Sequence, residues 1–183
     1  RLCRDWSSDV CSSDLGAMLA PAEMVETVAE AGGFLHGHTY SANPLSCAIG
    51  HAVVSEMMRL NLMANAERMG ARLRTRLEEI KSRSAILGDV RGKGLLMAIE
   101  IVANKETKAL VPAEHQAVYR LIELGIERGL LLYSRRTANG KYGEWLMVSP
   151  PLIVTEAEVD EIASLIEATL AAYEAELRQQ RVI

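Results

Sequence analysis

The stretch HGHTYSANP, residues 36–44, gathers two histidines, a threonine, a tyrosine, a serine and an asparagine, and closes on a proline. Three kinds of chemistry suit such a set. His36 and His38 stand one residue apart and can ligate a metal together, with His51 a turn or two into the next helix. A zinc site needs three or four converging ligands, and no Cys or carboxylate joins these histidines in sequence, so no metal is expected. The second chemistry is anion binding. Thr39, Tyr40, Ser41 and Asn43 lie just before a helix opening at Pro44, and a helix N-terminus presents unpaired N–H groups and the positive end of its dipole. The third is self-capping, in which Asn43 and Ser41 satisfy the helix end themselves. Composition leaves the last two open.

Other stretches carry weaker signals. GDVRGKG, residues 88–94, looks like a phosphate loop but fails its spacing. Only three residues separate Gly88 from Gly92, and no Ser or Thr follows Lys93. Its glycines suit a turn between strands. Cys47 would need a stabilised thiolate to act as a nucleophile; its helical surroundings predict a reduced thiol packed in a core. Arg135 and Arg136 precede a polar turn and could grip a carboxylate as a bidentate fork, or simply decorate a solvated hairpin.

The elements that must position these residues follow from periodicity. Pro21 suits the start of a helix whose apolar face is Met24, Val25, Val28 and Ala29, with Gly32 and Gly33 as its stop. Asn43 and Pro44 open a second helix, which pauses near residues 59–61. A third runs over about 62–82 with Leu62, Ala66, Met69, Leu73, Leu77 and Ile80 as its stripe. After Ser84 the chain turns β-prone. Two short strands are expected around residues 91–94, and then a loop over 103–112. A helix should open at Pro112, followed by strands over 130–134 and 145–149 joined through Asn139-Gly140. Thr155 with Glu158 forms a capping box for a final helix.

Composition bounds the rest. The chain has 183 residues, 49% hydrophobic and 24% charged, with net charge −4. This is ordinary globular composition, and neither a basic stripe for nucleic acid nor an apolar run long enough to span a membrane is present. Three cysteines in a chain of this length do not make a disulfide framework. With no signal peptide visible, the expected location is cytoplasmic. Residues 1–15, RLCRDWSSDVCSSDL, have no apolar period, and residues 5–15 resemble one reading frame of a common short-read sequencing adapter. They are expected to be an unstructured artefact, set apart from fold reasoning. Helices lead and then mix with strands, which puts a domain boundary near residues 70–85.

Several stretches together resemble class III pyridoxal-phosphate aminotransferases. FLHGHTYSANPLSCAIGHAVV (34–54) is similar to a segment that in this family reads close to HGHTYSGHPLACA. VRGKGLLMAIEI (90–101) resembles its VRG-x-GLM-x-GIEL strand, and GEWLMVSPPLIVTEAEVDEI (143–162) its GD-x-x-x-x-SPPLIIT-x-x-E-[IV]-D. GAMLAP (16–21) fits the segment that follows the family's cofactor lysine. The resemblance implies an α/β protein of PLP-dependent transferase fold type I. Residues 16–75 would be the C-terminal part of the large cofactor-binding domain, with a linker helix, and residues 76–183 the small C-terminal α+β domain. It implies pyridoxal 5'-phosphate as cofactor and a homodimer with active sites at the subunit interface. Its activity would be amino transfer between an amine or amino acid and a 2-oxo acid. On the same scaffold an aminomutase or decarboxylase is the alternative, and a non-catalytic interaction fragment is a third reading.

Carried over residue by residue, the resemblance makes Thr39, with His38 beside it, the match to a loop that crosses to the neighbouring subunit's cofactor phosphate. Arg135 or Arg136 becomes the candidate for the substrate carboxylate, by position only, because TANGKY (137–142) is inserted before the Gly143-Glu144 pair. Positions 42 and 43 read Ala-Asn where Gly-His is common, and Glu144 stands where Asp is usual. The Schiff-base lysine is expected a few residues before Gly16. None of the lysines present, Lys81, Lys93, Lys105, Lys108 and Lys141, lies in the matching motif, so no catalytic residue is assigned and the chain alone is expected to be inactive.

Overall fold

The computed structural model describes residues 20–33, 37, 41–136, 140 and 143–183, with Arg136 described in its backbone only. Two compact units divide between Leu60 and Asn61.

In the first unit, helix α1 spans Ala22–Glu30 and helix α2 Pro44–Arg59. Helix α1 starts after Pro21 and stops at the expected glycines. Gly32 and Gly33 take positive φ, and the Gly33 amide donates to the Val28 carbonyl at 2.9 Å, the bond that closes a helix through a left-handed residue. Neither helix has a buried residue. Cys47, expected in a core, is instead an exposed free thiol. The helical period of α2 is as expected.

The second unit begins with α3, Leu62–Arg83, which buries Leu62, Met69, Gly70, Leu73, Leu77 and Ile80. The boundary expected near 70–85, placed between residues 75 and 76, falls inside this helix. Met69 and Leu73 belong to the same core as Leu77 and Ile80, so the helix cannot be shared between two cores, and the compact unit starts at Asn61.

Strands β1, Leu87–Lys93, and β2, Leu96–Ile101, form a hairpin about Gly94-Leu95. Gly94 takes φ +56°, which favours glycine, and Gly92 at φ +140° requires it, because a Cβ there would collide with the Leu96 carbonyl. The helix expected at Pro112 starts later. Pro112 caps a single 3-10 turn, Ala113–His115, and Gln116 at φ 43° breaks the path before α4, Ala117–Ile126. Strand β3 is Tyr133–Arg136, shifted from the expected 130–134; β4 is Glu144–Val148, and α5 is Glu156–Gln179. The shift has a cause in pairing: Tyr133 is the first residue of its run to find a ladder partner, Met147.

All three pairings are antiparallel, in the order β1-β2-β4-β3. Burial alternates along β2 and β4, as a sheet covered on one face requires. Val90, Met97, Ile99, Ile101, Leu146 and Val148 join one core with residues of α3, α4 and α5. Leu96, Ala98, Glu100, Trp145 and Met147 alternate onto the other face and keep solvent exposure. Ion pairs lace the helices at the surface. Arg72 grips Asp160 through two bonds of 3.1 and 2.6 Å, and Arg120 grips Glu176 through two of 3.0 and 2.7 Å. At α5 the capping box forms as expected: the Thr155 hydroxyl accepts from the Glu158 amide, and the Glu158 carboxylate accepts from the Thr155 amide at 2.8 Å.

Candidate functional site

At the start of α2 the first free amides meet the helix's own cap. Pro44 has no N–H. The amides of Leu45 and Ser46 both donate to Asn43 Oδ1 at 3.1 Å, and the Cys47 amide donates to the Asn43 carbonyl at 2.9 Å. Asn43 thus caps the first amides of this helix end. Ala42, at φ 56°, makes the tight turn into that cap. His38 and Thr39 lie outside the described residues.

The described lysines stand in two kinds of setting. Lys81 Nζ sits 3.4 Å from both Glu78 and Asp89, and Lys105 Nζ donates to the carbonyls of Lys81 and Ser84 at 2.6 and 3.0 Å, capping the end of α3. Lys93 and Lys108 lie in the β1 strand and the loop before the 3-10 turn. Lys81 and Lys105 are thus engaged by partners of the second unit, and the first α2 amides by Asn43. Among the described residues, no three His, Cys, Asp or Glu side chains gather to hold a metal.

Both arginines sit on the edge strand β3; Arg135 is paired in register with Trp145 and Arg136 with Glu144. Arg135 is exposed, its guanidinium lies 5.0 Å from the centre of the Tyr133 ring, and no carboxylate among the described residues pairs with it. A guanidinium stacked on an aromatic face keeps its in-plane N–H donors free for a carboxylate. Glu144, opposite Arg136, is buried at 5% exposure. The sequence signal for Tyr133 beside Arg135 is their i, i+2 spacing, which shows once β3 starts at Tyr133.

Buried titratable groups lie deeper. The Tyr173 hydroxyl donates to the His115 carbonyl at 3.3 Å, and burial, helped by the nearby Glu144 and Glu176 carboxylates, pushes its pKa up to about 12. The Arg120 guanidinium holds Glu176 below the usual carboxylate range, against the effect of burial. The Arg120–Glu176 pair braces α4 against α5, and Tyr173 ties α5 to the 3-10 turn.

A model of the family "Aminotransferase class-III" matches residues 14–170. The chain belongs to the class-III aminotransferases. It is 34% identical over 179 residues to the uncharacterized aminotransferase YodT of Bacillus subtilis, an alignment that takes in 93% of this chain and 40% of YodT. Among solved structures it resembles a transaminase from the marine bacterium Virgibacillus, with a TM-score of 0.75 and 28% identity over 85% of this chain and 34% of that one. It is also similar to a PLP-bound amine transaminase from an uncultivated Pseudomonas species, with a TM-score of 0.66 and 34% identity over 76% of this chain and 30% of that one. The chain thus spans well under half the length of the aminotransferases it matches. Two of the stretches that resemble the family fall in defined elements: 90–101 lies in the β1–β2 hairpin, and 143–162 takes in β4 and the start of α5. No helix among the described residues is long and apolar enough to cross a membrane.

Proposed function

We propose that the whole protein is a pyridoxal-phosphate-dependent aminotransferase of fold type I. It works as a cytoplasmic homodimer and moves an amino group between an amine or amino acid and a 2-oxo acid such as pyruvate. The observation that carries this reading is the family match across residues 14–170, together with the transaminase fold of the described residues. When bound, pyridoxal phosphate supplies the electron sink that makes a Cα proton of the donor labile.

The residues of this chain take supporting parts. Those up to Leu60 go with the large cofactor-binding domain and those from Asn61 with the small one. Since Asn43 occupies the amides of α2, contact with the cofactor phosphate falls to side chains of the bend, with Thr39 donating its hydroxyl across the subunit interface and His38 beside it. Arg135, stacked and without a carboxylate partner among the described residues, receives the substrate carboxylate; Arg136 stands opposite buried Glu144 instead. The lysine that would hold the cofactor is contributed from outside residues 16–183.

A chimera tests this. Residues 16–183 replace the matching portion of YodT, and transfer of amino groups from a panel of amines and amino acids to pyruvate is assayed with added cofactor. Transfer that falls at least about tenfold in Thr39→Val is the expected result, the size of a lost hydrogen bond to a charged group. A dimeric, cofactor-loaded chimera that rearranges or decarboxylates its substrates would favour the aminomutase or decarboxylase reading. The 183-residue chain alone is expected to show no visible absorbance band of lysine-bound cofactor.

A further inference from the structure

The order β1-β2-β4-β3 leaves β1 at one edge of the sheet. An edge strand turns the N–H and C=O of every second residue outward, toward any strand that comes beside it. On β1 these groups meet side chains of α3. Arg74 Nη2 donates to the Gly92 carbonyl at 2.6 Å, and its Nη1 lies 3.5 Å from the Val90 carbonyl. Val90 and Gly92 stand two apart, so their carbonyls point the same way, and one guanidinium spans both. Lys81 adds a second contact. Val90 is buried in the core with Leu73, Leu77 and Ile80 of α3, so its neighbour Asp89 alternates onto the opposite face of the sheet, where Arg91 Nη1 lies 3.1 Å from it. Lys81 Nζ, coming from α3, is nevertheless 3.4 Å from Asp89. It therefore passes around the outer edge of β1. A register shift between Leu87 and Asp89 bends the start of the strand as well. Cationic side chains and bulges are the means by which proteins blunt sheet edges.

The strand under this cover is complementary to itself. In an antiparallel pairing about a two-fold axis at Val90, Asp89 of each copy stands opposite Arg91 of the other. Opposite charges directly across a ladder stabilise it, and a two-fold contact closes on itself as a dimer. The carbonyls that Arg74 holds are the ones such a ladder would use. We propose that Arg74 and Lys81 guard the β1 edge against strand addition by a second copy of this chain. With the guard removed, the Asp89–Arg91 match sets the register in which two copies pair.

The test follows the full 183-residue chain by sedimentation over a range of concentrations and by amide hydrogen exchange. Arg74→Met with Lys81→Met keeps the long apolar stems and removes the charges. This variant is expected to self-associate at least about tenfold more tightly than the parent, the effect of a few added hydrogen bonds. Its slowed amides should lie within residues 88–93. Adding Asp89→Arg sets like charges across the ladder and should return association to the parent level; adding Arg91→Asp to that variant should restore it. Asn65→Ala, which weakens the same unit away from β1, should sediment like the parent. Exchange in β2 and β4 reports whether the sheet is intact, and if the double variant loses that protection, Arg74→Met alone carries the same expectations. Sedimentation unchanged from the parent, an increase matched by Asn65→Ala, association that survives Asp89→Arg, or slowed amides outside β1 would each overturn the proposal.

Discussion

Gly70 in α3 and Gly94 at the tip of the β1–β2 hairpin touch backbone to backbone. A Cβ placed on Gly70 would run into the Gly94 carbonyl and Cα. The hairpin that carries VRGKGLLMAIEI is thereby seated on the helix that opens the second unit. In an exposed helix, replacing glycine by alanine gains about 1 kcal/mol. Here overpacking against backbone, at about 1–3 kcal/mol, reverses the sign. Gly70→Ala should lower the midpoint of urea unfolding; an unchanged or raised midpoint would show that the two glycines do not set the spacing.

Asn65 ties α3 to the segment after β4. Its Nδ2 donates to the carbonyls of Leu152 and Val154 at 2.8 and 3.1 Å. Pro150 and Pro151 have no N–H of their own to anchor this turn. Asn65→Ala should cost about 1 kcal/mol of stability, the net worth of a typical hydrogen bond. Amide hydrogen exchange should speed up locally at residues 152–154 while the sheet stays protected. Uniform acceleration over the whole unit would mean the side chain has no local anchoring role.

Glu176 makes stability depend on acid. Its bonds to Arg120, resisted by burial, hold its carboxyl below the ordinary range. A lowered folded-state pKa stabilises above the unfolded value of about 4.3 and is lost as pH falls through the folded value. Glu176→Gln should therefore be less stable than the parent at neutral pH and lose less between neutral pH and about pH 3. Parallel pH profiles of the two proteins in urea would count against the pair.

Tyr173 works at the other end of the scale. With its hydroxyl pushed up to about 12, the fold favours the neutral phenol. That contribution is complete below the unfolded value of about 10 and disappears as pH rises through the folded one. Tyr173→Phe gives up the bond to the His115 carbonyl, at most about 1 kcal/mol at neutral pH. It should flatten the loss of stability above about pH 10. Unfolding measured across that window decides the matter, since a Phe variant falling as steeply as the parent would exclude Tyr173 as the titrating group.

The amino-acid sequence by itself determined whatever depends on neighbours along the chain. The Asn43-Pro44 start of α2, the glycine stop of α1, the buried stripe of α3 and the capping box of α5 are local devices: short-range hydrogen bonds and a period of 3.6. The family motifs were legible for the same reason, since they are read residue by residue. Tertiary structure alone decided the order β1-β2-β4-β3, the start of β3 at Tyr133, the delay of α4 past Gln116 and the placing of all of α3 in the second unit. It also decided which side chains find a partner. Asn43 takes the amides of Leu45 and Ser46, Arg135 stacks on Tyr133, and Cys47 is exposed on α2. The physical reason is that ladder register and burial depend on residues far apart in sequence, and a hydrophobic period says which face wants cover without saying what covers it.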